Sequence, residues 1–190
     1  MMNKTLRSFC ILALCTYFLT ACSSQSKKEE IPDVNLVEAS YVVADALLVN
    51  AEKLNLNRTK PLLVASFVNV DDVQQSSTLG RMIAEQIGSR ISQSGLKVVE
   101  VKLRSDSIFV KGNQYPNEGE FLLSRELKDL SSEHDAVAVV VGTYAESKSR
   151  VYVTAKMLNT HDNSIMASFD YSLPIGADIK QMLRNDKRRR

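Results

Sequence analysis

The sequence contains no tryptophan, two histidines, four prolines and three cysteines, and its 24 cations and 22 anions nearly cancel over 190 residues. These scarcities exclude several classes of protein. With only His134 and His161, the side chain most often used as a general base is almost missing. No Cys-x-x-Cys or His-x-x-x-His spacing occurs, which argues against a transition-metal centre. Neither G-x-S-x-G nor G-x-x-x-x-G-K-[ST] is present, so there is no nucleophile elbow and no phosphate loop. The longest early apolar run, Phe9–Leu19, is too short for a bilayer, which takes about 20 residues. The chain length suits one domain, at roughly 100–200 residues each.

That short run has the layout of an export signal. Lys4 and Arg7 precede it, and small residues follow in Leu19-Thr20-Ala21-Cys22. The tetrapeptide looks like a bacterial lipobox, in which the chain is cut before the cysteine and the cysteine is acylated. The expectation is a signal peptide over residues 1–21, lipid attachment at Cys22, a lipidated tether over 22–32, a folded domain over 33–183 and a basic tail over 184–190. A secreted protein with an incidental Cys22, or an uncleaved anchor, is the alternative. Processing would leave 22 basic and 22 acidic residues, and no cysteine besides Cys22. The core must then hold the domain without disulfides. Ser23 after Cys22, rather than aspartate, resembles the pattern of lipoproteins sorted to the outer membrane. Export removes nucleic acid as a partner for the tail.

Hydrophobic period then orders the chain. Pro32-Asp33 opens a helix with Asp33 as its cap. Val37, Tyr41, Ala44, Leu48 and Ala51 form one face, widened by Leu36, Val43, Leu47 and Leu54. Leu62–Val68 is a continuous apolar run, expected to be one strand buried on both faces. Ser76–Ser94 is a helix capped by Ser76, Ser77 or Thr78 and closed by Gly95. Gly80, Ala84 and Gly88 recur every four residues beside its apolar face. Helical glycine costs about 1 kcal/mol relative to alanine, so close backbone packing should offset it. Leu96–Leu103 is a second strand, parallel to the first through a right-handed crossover. Arg104–Glu118 reads as a long loop, and Gly119–Ser132 as a helix with Leu123, Leu127 and Leu130 on one side. Ala136–Tyr144 is a buried strand, Val151–Leu158 and Ile165–Leu173 are a hairpin, and Ala177–Asn185 is a short helix. The fold class is α/β: a single-domain sandwich whose mixed sheet has a parallel βαβ core and an antiparallel C-terminal hairpin, with helices packed on the sheet.

The stretch Leu62–Arg104 contains Ser66-Phe67, a short acidic loop, then Ser77-Thr78-Leu79-Gly80-Arg81 opening a helix, and Val98-Val99-Glu100-Val101. With Gly119–Glu126, and with Val141-Gly142-Thr143-Tyr144 followed by Arg150–Val153, it resembles the FlgO family of flagellar outer-membrane proteins. The resemblance covers about residues 35–173, and only the terminal run from Arg184 has no place in it. It implies a structural lipoprotein of a ring at the flagellar base, at the outer membrane, typical of sheathed polar flagella. The implied partners are the membrane itself through the anchor, copies of the chain, and other flagellar ring proteins. The βαβ core is also similar to CsgG-like and LpoB-like lipoproteins and to the amino-terminal domain of TolB, a likeness of fold that carries little about function.

Residues of types that do chemistry have plainer explanations here. His134 precedes a strand and His161 lies in a turn, both suited to solvent or capping. Asp71-Asp72 is two carboxylates, not a cation cage. Neither a catalytic residue nor a metal site or small-molecule substrate is expected, and no cofactor beyond the lipid on Cys22. Arg81, Arg90, Arg104 and Arg125 suit polar contacts within the domain or between subunits. Arg81 occupies the first turn of its helix, where the macrodipole disfavours a cation, so it should have a carboxylate or carbonyl partner. Asp71, Asp72 and Glu85 are nearest in sequence. Among functions, a lipoprotein module of a cell-wall synthesis or secretion complex is the alternative to the flagellar ring.

Overall fold

Helix α1 (Leu36–Glu52) begins where the side chain of Asn35 turns back to accept the Glu38 N–H at 3.2 Å. The cap is therefore Asn35 and not Asp33, whose carboxylate serves another helix. The structure is a computed structural model and describes residues 31–71, 76–101, 109–110, 122–123 and 125–187, all within one compact unit starting at Ile31. Cys22, Asp72 and Arg104 lie outside the described residues. After α1 come β1 (Leu62–Val64), β2 (Val68–Asn69), α2 (Thr78–Gln93) and β3 (Val98–Glu100). A two-stranded pair follows, β4 (Phe109–Val110) with β5 (Leu122–Leu123), then α3 (Arg125–Glu133). The chain ends with β6 (Ala138–Glu146), β7 (Arg150–Asn159), β8 (Ile165–Pro174) and α4 (Ala177–Lys187).

The main sheet has the order β3-β1-β6-β7-β8. β1 is parallel to both β3 and β6, and β6, β7 and β8 form an antiparallel meander. This is the expected mixed sheet, with β1-α2-β3 as its parallel crossover unit. The apolar runs of β1 and β6 are continuous because both faces of these strands are covered. Leu62, Val64, Ala138 and Val140 point into the larger core with Leu47 of α1 and Ile83 and Ile87 of α2, joined by Leu183 of α4. Leu63, Val139 and Val141 point the other way, into a smaller core with Leu127 and Leu130 of α3. In β7 the pattern changes: Val151, Val153, Ala155 and Met157 are buried, and Tyr152 is 55% exposed.

Several expected boundaries move, each for a local reason. The run Leu62–Val68 is two pieces rather than one strand. Val64 pairs with Val140 and Val68 with Thr143, so four residues on one strand oppose three on the other. That extra residue is a bulge, and it turns the Phe67 N–H away from β6 to the Gly80 carbonyl at 3.2 Å. Val37 of α1 is exposed, as is Leu54, which lies beyond the end of that helix, while Ser40 is buried, its hydroxyl donating to Gln86 at 2.9 Å. Strand β3 is shorter than expected. Leu123 belongs to β5 rather than to the helix, which starts only at Arg125. Within Arg104–Glu118, Phe109 and Val110 pair with β5, and the rest of that loop lies outside the described residues. The hairpin and the final helix fall where expected, with α4 running through Arg184 to Lys187. Ser77 caps α2, and Gly95 ends it at a positive φ of 86°.

Candidate functional site

Three of the short motifs of this sequence meet around one side chain, Phe67. The bulge drives its ring into the larger core, where it lies on Gly142 of β6, and any Cβ at position 142 would occupy the space of the ring. Its carbonyl presses equally closely on Gly80 in the first turn of α2, where a Cβ would overlap the carbonyl oxygen. The Ser76 hydroxyl donates to that same carbonyl at 2.8 Å. Ser77 accepts the Gly80 N–H at 3.1 Å, and the Val70 N–H reaches the Tyr144 carbonyl at 2.9 Å. Ser66-Phe67, Ser77–Arg81 and Val141–Tyr144 are therefore three sides of one packed junction. Their polar groups are spent on joining β2, α2 and β6.

Arg81 behaves as its awkward position requires. Its guanidinium donates to the Ser76 carbonyl at 2.8 Å and to the Thr78 hydroxyl at 3.2 Å. The partner is the carbonyl just before its own helix, and neither Asp71 nor Glu85 is involved. Arg90 instead clamps α2 to α1. It donates to both oxygens of Asp45, at 2.8 and 2.9 Å, and stacks over Tyr41 with its guanidinium carbon 5.4 Å from the ring centre. Gln93 adds a bond to the Tyr41 hydroxyl at 3.0 Å. The Arg90 hydrogen bond holds the Asp45 carboxyl below its ordinary range. A planar two-pronged donor suits this site, which a lysine could not reproduce.

The remaining candidates stay apart. His134 and His161 are exposed, on opposite sides of β6 in sequence; the backbone N–H of His161 donates to Asn159 Oδ1 at 2.8 Å within the hairpin turn. The Asp71 N–H donates to Asn69 Oδ1 at 2.9 Å, which is a turn. Among the described residues, no group of three or more His, Cys, Asp or Glu side chains is placed to hold a metal ion, and no helix is long and apolar enough to cross a membrane. A shallow hollow of about 280 Å³ lies on the sheet where Val70, Thr143, Ala145, Tyr152, Thr154 and Asp170 come together.

Sequence comparison places these motifs. The family model described as FlgO protein matches residues 41–178. The chain belongs to the FlgO family. Among curated proteins, no sequence matches it. Among solved structures, it is similar to the LpoB C-terminal domain from Salmonella enterica, with 12% identity and a TM-score of 0.43, over 68% of this chain and 96% of that one. It is also similar to lipoprotein GNA1162 from Neisseria meningitidis, with 19% identity and a TM-score of 0.39, over 63% and 82% of the two chains. A PelC dodecamer from Paraburkholderia phytofirmans has 16% identity and a TM-score of 0.39, over 63% and 74%.

In this FlgO domain, the matched region runs from Tyr41 in α1 to Asp178 in α4 and holds the whole Phe67 junction and the Arg90 clamp. Sequence reasoning missed three features of the fold. It had no reason to join Asp45 to Arg90, 45 residues away. It did not see Gly142 as the seat of an aromatic ring, although a glycine between β-branched residues in a central strand is a signal of close approach. It also gave Asp33 to the wrong helix.

Proposed function

We propose that this chain is an outer-membrane lipoprotein that works by contact rather than catalysis. Cys22 carries the lipid, residues 23–32 form the tether, and the FlgO domain packs against copies of itself in a ring at the flagellar base. The other outer-membrane ring proteins of the flagellum are its partners, and the ring supports assembly, stability and motility. Head-to-tail contacts that close on themselves produce such a ring. The observation that supports this reading most is the match to FlgO over residues 41–178, whose motif residues Phe67, Gly80 and Gly142 are consumed in shaping the domain. A domain whose family signature is spent on its own packing offers its partners a surface of fixed shape. The lipobox pattern at Cys22 supports the anchor, since acylation with two or more chains holds a protein stably on a membrane.

The test combines labelling and swimming. Cells given labelled palmitate are expected to label the wild-type chain and not Cys22→Ser, and deletion of the gene is expected to reduce motility. An unlabelled wild-type chain would overturn the anchor, and a deletion strain that swims normally would overturn the flagellar role.

A further inference from the structure

Helix α4 has two chemically distinct sides. Ile179 and Leu183 are 1% and 6% exposed in the larger core, whereas Lys180 and Arg184 stand exposed, one turn apart. The spacing of four and then three residues sets positions 180, 184 and 187 on one stripe, all of them basic. Neither Lys180 nor Arg184 is paired with a described acidic residue, and the sequence goes on to Arg188, Arg189 and Arg190. Before α4 the processed chain is mildly acidic, with 16 basic and 20 acidic residues from Cys22 to Gly176 together. Within α4 the three cations outnumber Asp178 and Asp186 by one, and Arg188–Arg190 add three more, so the excess positive charge lies on this stripe and in the run that follows it.

A second observation ties this helix to the anchor. Asp33 Oδ1 accepts the Asp178 N–H at 2.9 Å, capping α4 across 145 residues of sequence. Gly176 packs against Asp33 so tightly that a Cβ at position 176 would overlap its carboxylate. The chain arriving from Cys22 is therefore pinned at the first turn of α4. Ten residues, 23–32, reach about 35 Å when extended. The 11 residues of α4 span about 16 Å. Every point on the helix lies closer to the pinned residue than the full length of the tether.

We propose that the basic face of α4 that carries Lys180 and Arg184 lies on the membrane that holds the anchor and binds the phosphate groups of anionic glycerophospholipids. This rests on the lipid-anchored reading of Cys22. The stripe is a second membrane contact beside the acyl chains, and it orients the domain with α4 toward the bilayer. Each cation near an anionic surface raises partitioning about fivefold, and the effect decays within a Debye length of about 8 Å at physiological salt.

The test uses the processed chain from residue 22 with Cys22→Ser, so that no acyl chain contributes. It is floated with vesicles of phosphatidylcholine alone, or of equal parts phosphatidylcholine and phosphatidylglycerol. Flotation is expected with phosphatidylglycerol only, to be reversed by about 0.5 M salt, and to fall at least about tenfold when Lys180, Arg184 and Lys187 are changed to Glu. A Gln triple variant should weaken binding without reversing charge, and circular dichroism verifies that both variants fold. Absence of flotation with phosphatidylglycerol, or binding unchanged in both variants, would overturn the proposal; the second result would leave the stripe to some acidic protein or to nothing. Failure of palmitate labelling at Cys22 is read separately in cells, so loss of the anchor and loss of the stripe are distinguishable.

Discussion

Phe67 carries more of this fold than its single motif position suggests, because its ring and its carbonyl each rest on a glycine. Gly80→Ala tests the point by sign. Alanine favours an exposed helix by about 1 kcal/mol over glycine, yet here the new methyl meets the Phe67 backbone, which has nowhere to yield. The variant is expected to lose stability in urea titration, and a gain would show that the contact is slack. Gly142→Ala should cost roughly 1–3 kcal/mol by displacing the ring, and Phe67→Ala about 3–5 kcal/mol by emptying the site. The four-residue recurrence of Gly80, Ala84 and Gly88 revealed that some backbone approach was needed. It did not distinguish the two glycines: a Cβ at position 88 would meet Val64 and Val98 only at 3.7 Å, an ordinary contact. Asp45 gives a pH prediction at the same scale. Its folded pKa lies below the ordinary 3.8, through the Arg90 bond. The clamp's contribution is therefore present in full only well above the unfolded value of 3.8 and is lost as pH falls through the lowered folded value. Asp45→Asn should flatten the acid limb of stability against pH and leave the shape of the curve near neutrality unchanged.

Helices and strands were legible where one face of the pattern is buried and the next residue is not, as in α2 and in β7 with β8. They were less legible where burial is complete. In Leu62–Val68 every residue but Ser66 is buried, so hydrophobicity alone could not show that one extra residue interrupts the ladder. Capping was legible when local, at Ser77, and not when the partner was distant. Asp33 reads as the start of its own helix, but its carboxylate is taken by α4, far along the chain. Asp33→Ala should cost about 1 kcal/mol, the ordinary worth of an N-cap. Amide exchange should quicken at Asp178 first, while α1 keeps its protection through Asn35. Equal loss of protection in both helices would contradict the separate caps.

At the scale of the molecule, the sheet is covered on one face by α1, α2 and α4 and on part of the other by α3. The order of apolar runs and turns was enough to read this sandwich, since a parallel crossover followed by a hairpin allows few arrangements. The proposed ring was not legible in the same way, because contact between copies needs no reactive group and leaves no fixed residue pattern. The exposed apolar side chains Val42 and Val49 on α1, and Tyr152 on the sheet, show surface that the fold itself does not bury. In the proposed function, the lipid on Cys22 holds this surface at the flagellar base. Cryo-electron tomography of flagellar bases tests it most directly, in wild type, in a deletion strain, and in that strain carrying Cys22→Ser. An outer-membrane collar is expected in the wild type, to be lost on deletion and not restored by the unlipidated chain. A collar of unchanged size in the deletion strain would contradict it.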